Sequence, residues 1–240
     1  MEQGAYLAEA LAHCGECHTP RNLGFALNNH KKLAAHGRRV GPSTSVRTKA
    51  TGLGAWSDDE IFSYLSIGHA EGHGTASGPM GEAVDHSFSQ LAPEDIRALV
   101  AYLRTVPATA SSDLPATVAP PAPASHRDGG GTSDPRGKMV FEGACVSCHG
   151  WSGESPIAPF ATFTGAWAVN DPGATNVAQI VISGTKRQTP ADAVSMPAFG
   201  NAYSDAEIAA VANYVTSRFG SKASRITAQD VAELRKQTSQ

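Results

Sequence analysis

Cys14-Gly15-Glu16-Cys17-His18 decides the fold, because its spacing returns in Cys145-Val146-Ser147-Cys148-His149 and the two copies use all four cysteines of the 240-residue chain. Two thiols one helical turn apart can add to the two vinyl groups on one porphyrin edge, while the next residue turns its imidazole toward the iron. The motifs therefore predict two covalently bound haem c groups. Cys14, Cys17, Cys145 and Cys148 are the attachment points, and His18 and His149 the axial ligands of the two irons. A zinc ribbon brings its two Cys-x-x-Cys halves within tens of residues, whereas these lie 131 positions apart and each is followed by histidine. A thioredoxin-like dithiol requires a βαβ setting that neither copy shows. Structural disulfides would leave the paired histidines unexplained.

Outward from the motifs, the chain is long enough for two units of about 100 residues, each with its own core. A net charge of −3 with 17% charged residues supplies no basic field for nucleic acid. No apolar run reaches the length that crosses a bilayer, so any membrane association is expected to be peripheral or through a partner. Met1-Glu2-Gln3-Gly4 lacks the basic and apolar regions of a secretory signal, although haem is attached to such motifs after export. The expectation is a processed or shortened form acting in the periplasm. Residues 107–135 are dense in Pro, Ala, Ser, Thr and Gly and read as a linker. It separates a haem domain over 1–106 from another over 136–240.

The two halves follow one plan. Gly68 precedes Met80 by twelve positions, and Gly184 precedes Met196 by twelve. Short helical patterns lie before each glycine (Ile61, Phe62, Leu65; Val177, Ile180, Val181), and longer ones follow each methionine (Ile96, Leu99, Val100, Leu103; Ile208, Val211, Ala212, Val215). Tyr102 and Tyr214 each follow the leading isoleucine of the longer pattern by six. Ser57-Asp58-Asp59-Glu60 and Ser204-Asp205-Ala206-Glu207 are capping boxes. Pro93 opens another helix, and a last one runs over Ala228–Lys236 behind Thr227 and Asp230. Alternating strand patterns are nearly absent, so the predicted fold is all-α, with long loops wrapped around the haems.

The sixth ligand of each iron sets its reactivity. Met1 is terminal and Met139 lies too close in sequence to the second motif, which leaves Met80 in Gly78-Pro79-Met80 and Met196 in Ser195-Met196-Pro197. Each is expected in a proline-stiffened loop. Gap-filling core methionine is the bland alternative, and His69, His73 or His86 could supply a nitrogen in the first half. His/Met ligation favours ferrous iron and leaves no open position, which points to electron carriage. Carbonyls near Gly41-Pro42 and near Pro156 to Pro159 are candidate partners for the second ring N–H of the motif histidines. Trp56 and Trp167 either hydrogen-bond propionates or pack in the core.

The segments Gly4-Ala5-Tyr6-Leu7, His18-Thr19-Pro20-Arg21-Asn22, Trp56 to Ile61 and Gly78-Pro79-Met80 resemble the middle haem domain of the cytochrome c subunits of bacterial membrane-bound dehydrogenases. These subunits serve alcohol, gluconate, sorbitol and fructose dehydrogenases and some molybdenum-dependent hydroxylases. Gly137 and Phe141 through Cys145 to Met196-Pro197-Ala198-Phe199-Gly200, then Tyr203 to Glu207, resemble their last haem domain. The resemblance implies Cys14, Cys17, His18 and Met80 on one haem, and Cys145, Cys148, His149 and Met196 on the other. It also implies a dehydrogenase catalytic subunit as electron donor and quinone or a terminal oxidase as acceptor. The family commonly carries three haem domains; this sequence shows two. A freestanding dihaem shuttle and a dihaem peroxidase are the rival readings.

Overall fold

The computed structural model describes residues 2–34, 52–107, 134–188 and 193–238. Most of the linker read over 107–135 lies outside these residues. Contacts sort the described residues into two compact units, one from Met1–Ala70 and Pro79–Thr117, the other from Glu71–Gly78 and Val118–Gln240.

In the first unit, α1 (Glu2–Tyr6) runs into a π-helical stretch at Leu7–Leu11, and α2 (Cys14–His18) carries the haem motif. Next come α3 (Asp58–Ile67), α4 (Gly78–His86) and α5 (Pro93–Thr105). The Ser57 hydroxyl accepts from Glu60 N at 3.2 Å, as its capping box predicts, and Pro93 occupies the first turn of α5. The apolar stripe of α5, Ile96, Leu99, Val100 and Leu103, is buried with Ile61 and Leu65 of α3 and Val84 of α4. Each such side chain contributes about 1.5–3 kcal/mol by leaving water.

The second unit repeats the plan. α6 (Pro135–Val140) continues through a π-helical stretch at Phe141–Cys145 into α7 (Val146–His149). α8 (Trp167–Asn170), α9 (Thr175–Ser183), α10 (Asp205–Phe219) and α11 (Ala228–Thr238) follow. Phe141 is fully buried at the centre of the core, its ring 5.3 Å from that of Tyr214 and 5.4 Å from that of Phe219. The last helix extends the predicted span by two residues, and Thr227 Oγ1 accepts from Asp230 N at 3.2 Å at its start.

In both units the first helix crosses the middle of a long helix at a glycine. A Cβ on Gly4 would stand 2.0 Å from Ala98 O and 2.9 Å from Tyr102 Cβ, and one on Gly137 would stand 2.3 Å from Ala210 O and 3.0 Å from Tyr214 Cβ. Only a bare Cα lets the helices approach this closely. The units differ just beyond the crossing. Gly4 precedes Cys14 by ten residues but Gly137 precedes Cys145 by eight. The extra length is taken up by a break at His13, in the left-handed region at φ 47°, whereas Val140, Cys145 and Val146 are all right-handed helical.

The all-α expectation needs correction. The described residues are mostly helical, but β1 (His69–Ala70) pairs with β2 (Gly74–Thr75), and β3 (Thr185–Gln188) pairs antiparallel with β4 (Ala193–Met196). Thr185-Lys186-Arg187-Gln188 has no apolar alternation to announce a strand; backbone pairing holds it there.

Candidate functional site

In the second unit the π-helical stretch and α7 present Cys145 half-buried and Cys148 exposed, with His149 half-buried in the last turn of α7. His149 Nδ1 lies 2.6 Å from Ala161 O. A carbonyl oxygen only accepts, so Nδ1 carries the hydrogen and Nε2 keeps its lone pair. The ring stacks on Phe163 with centroids 4.2 Å apart and planes 13° apart. Burial holds the imidazole pKa below its ordinary value, against the opposing effect of the Ala161 bond. A neutral ring held by one nitrogen with the other open to donate is the state a haem iron requires. Ala161 lies two residues beyond Pro159, near the expected Pro156 to Pro159 stretch, and Gly41-Pro42 lies outside the described residues.

Met196 ends β4, paired across the ladder with Thr185, and packs half-buried against the core. It therefore sits at a strand end, where a loop was expected. Gly184, at φ 66°, makes this possible, since a Cβ there would stand 2.5 Å from Met196 O and 2.7 Å from Ala198 N. The next residues are pinned to α9 by Phe199 N donating to Val181 O at 2.9 Å and Gly200 N to Ile182 O at 3.1 Å.

In the first unit α2 presents Cys14 half-buried, Cys17 exposed and His18 half-buried. The next residue, Thr19, is buried, and its hydroxyl accepts from Leu33 N at 3.0 Å, folding the following loop back beside the motif. Met80 is half-buried in the first turn of α4, again where a loop was expected. The equal spacing from Gly68 and from Gly184 thus yields a helix start in one unit and a hairpin in the other. His69 and His73 are half-buried and His86 is exposed. Trp56 meets the Tyr64 ring edge-on at 5.4 Å, and Trp167 opens α8 half-buried.

Burial pushes the leading thiol of each motif, Cys14 and Cys145, up to about 11, so both sulfurs stay uncharged at neutral pH. Neutral sulfur is also what a thioether provides. No disulfide joins the four cysteines. Among the described residues no three His, Cys, Asp or Glu side chains converge as a metal cluster. Each motif offers a thiol pair followed by one imidazole, a set that fits haem c and not a zinc ribbon. Sequence reasoning placed the acceptor near Pro156 to Pro159 without singling out Ala161, a backbone group with no signature of its own.

A cytochrome c family model matches residues 1–107 and 135–218, one stretch around each motif. The fructose dehydrogenase cytochrome subunit of Gluconobacter japonicus is 34% identical over 258 residues, covering 97% of this chain and 51% of that protein. The gluconate 2-dehydrogenase cytochrome c subunit of Pantoea cypripedii is 32% identical over 251 residues, covering 98% of this chain and 56% of the relative. A diheme cytochrome c-type protein of Cereibacter sphaeroides is 41% identical over 107 residues, 45% of this chain and 36% of its own length. The chain spans about half the length of the dehydrogenase subunits it matches. With a motif in each matched stretch, the chain belongs to the cytochrome c family and has two haem c sites.

Proposed function

We propose that this chain carries electrons, one at a time, from a dehydrogenase catalytic subunit to quinone or a terminal oxidase, in the periplasm. The observation that carries the reading is the orientation of His149, whose ring is neutral and donates Nδ1–H to Ala161 O in the last turn of a Cys-x-x-Cys-His helix. The named relatives, subunits of fructose and gluconate dehydrogenases, support the dehydrogenase partner. Among the described residues no helix is long and apolar enough to cross a membrane, so attachment through a partner or peripherally is the reading.

In this reading Cys14 and Cys17 hold one haem and Cys145 and Cys148 the other. His18 and Met80 would hold the iron of the first, and His149 and Met196 that of the second. Two haem domains, over 1–106 and 136–240, are tethered by the linker at 107–135. Haem supplies the one-electron couple. The chain's own groups do the rest. The imidazole is held in one tautomer by a backbone carbonyl, and the thioether is placed by local structure, so neither ligand must reorganise when charge arrives. An imidazole and a thioether both held for the iron would leave no place for small molecules, which separates this reading from a peroxidase.

The test is Met80→Ala and Met196→Ala in the haem-loaded chain. Each should lose one near-infrared thioether-to-iron band, lower the potential of that haem alone and admit carbon monoxide to it. Unchanged spectra and potentials would show that the sulfur ligand was misassigned. Reduction by the substrate-charged dehydrogenase, with the two purified as one complex, is the expected partner result. Elution as separate species that exchange electrons only on collision would favour the shuttle.

A further inference from the structure

The last helix, α11, lies beyond the stretch matched by the family model, which ends at residue 218. It is firmly built in. Val231 is fully buried and Leu234 nearly so in the core shared with α9 and α10. The segment leading to it is tied to α10, with Asn213 Nδ2 donating to Ile226 O at 2.9 Å and Asn213 Oδ1 accepting from Ile226 N at 3.0 Å.

From α11, Arg235 reaches three points at once. Its Nε donates to Asp205 Oδ1 at 2.9 Å, with Nη2 ion-paired to the same oxygen at 2.8 Å, while Nη2 donates to Tyr203 O at 3.2 Å and Nη1 to Gly200 O. Gly200 stands four residues after Met196, with Pro197 fixing one of the intervening dihedrals. Both peptide groups flanking its Cα are held, the N–H by Ile182 O and the carbonyl by Arg235. The planar guanidinium fork suits this task, since several fixed donors lock one geometry.

The first unit contains the same device aimed elsewhere. Arg104 of α5 donates to Asp58 Oδ1 at 2.7 Å, to Leu53 O at 2.8 Å and to Trp56 O. Asp58 and Asp205 both open helices behind a capping-box serine, and the gripped carbonyls fall one and four residues before that serine in each case. In the first unit the gripped loop precedes α3, well upstream of Met80. In the second it is the segment that leaves Met196.

We infer that Arg235 is a positioning residue for the sixth ligand of the second haem: by fixing the loop from Gly200 to Tyr203 it keeps Met196 on the iron, and undocking α11 opens that iron. The inference rests on Met196 being the ligand, as proposed above. Arg104 supplies an internal control, because its removal costs a comparable set of hydrogen bonds without touching a ligand segment.

The experiment compares haem-loaded wild type, Arg235→Gln, Arg235→Lys, Arg104→Gln and Met196→Ala, with imidazole as the probe of ferric iron. Arg235→Gln should raise imidazole affinity at the second haem by roughly tenfold or more, as expected when charge-assisted hydrogen bonds that favour the closed state are lost. It should also weaken the near-infrared thioether band of that haem. Arg235→Lys, which keeps the charge but not the fork, should fall between Gln and wild type, and Arg104→Gln should leave both readouts unchanged. Wild-type imidazole affinity and a full band in Arg235→Gln would overturn the inference. So would a Gln variant that fails to fold while the Lys variant matches wild type, since the role would then be structural only. If Met196→Ala itself changes neither readout, the ligand assignment has failed instead.

Discussion

Replacing Gly137 by alanine probes the helix crossing that supports the second haem motif. The new Cβ would lie 2.3 Å from Ala210 O, 2.8 Å from Ala210 C and 3.0 Å from Tyr214 Cβ. Carbon and oxygen rest at about 3.3–3.6 Å even in their closest favourable contacts, so α6 and α10 must part by roughly 1 Å. Two of the three obstructing atoms are backbone and cannot turn aside. Overpacking of this kind costs about 1–3 kcal/mol, and a gap of 0.5–1 Å forfeits a quarter to a half of the dispersion energy at the contacts it opens. Because the nearest obstructing atoms are backbone, the cost here falls at the upper end of the overpacking range, about 2–3 kcal/mol, and after alanine recovers about 1 kcal/mol in helix propensity the net loss is about 1–2 kcal/mol. For a unit near 100 residues this lowers the Tm by about 4–16 °C, read from the haem absorbance of the second site on heating. Gly4→Ala, with Ala98 O at 2.0 Å, should do at least as much to the first unit. Gly143→Ala is the control, because a Cβ there meets nothing within 4 Å; it should be neutral or raise the Tm. A Gly137→Ala variant as stable as wild type would refute the close-packed crossing.

Cys17→Ser or Cys148→Ser should weaken covalent retention at one site only, so that acid–acetone extraction removes more haem from the variant than from wild type while the other site stays loaded; full retention at both sites would contradict the assignment of these thiols. The capping carboxylates Glu207 and Asp230 are held below the ordinary carboxylate range by their serine and threonine partners and adjoining backbone N–H groups. Their folded values are depressed, so the caps contribute above the ordinary range and are lost as pH falls through the depressed values. Far-ultraviolet circular dichroism should therefore show helix fraying only in acid below that range, and fraying that begins near neutral pH would contradict the assignment.

Local chemistry was legible in the sequence wherever it is complete within a few residues. Ser57 with Glu60 and Ser204 with Glu207 form the predicted caps, Pro93 opens its helix, and the apolar stripes of α5 and α10 are buried as their spacing requires. What depends on long-range partners was not legible. Met80 and Met196 share a spacing from glycine, yet one starts a helix and the other ends a strand. The β3–β4 ladder is held by backbone bonds, and its first strand, Thr185 to Gln188, is entirely polar and leaves no hydrophobic period. The grip of Arg235 on Gly200 spans 35 positions and ends on a carbonyl, a group every residue carries. The glycine crossings lie between these extremes. Gly4 and Gly137 recur at like positions, but only the structure shows Ala98 and Ala210 filling the space a methyl group would need.

The central claim is that each unit holds a thioether-bound haem gripped by nitrogen on one side and sulfur on the other. It is tested most directly by quantifying pyridine haemochrome per polypeptide in fully matured protein and recording the near-infrared spectrum of the ferric form on the same sample. Two c-type haems per chain and a thioether-to-iron band of two-haem intensity are the expected result. One haem per chain, or a resting spectrum of five-coordinate iron, would contradict it.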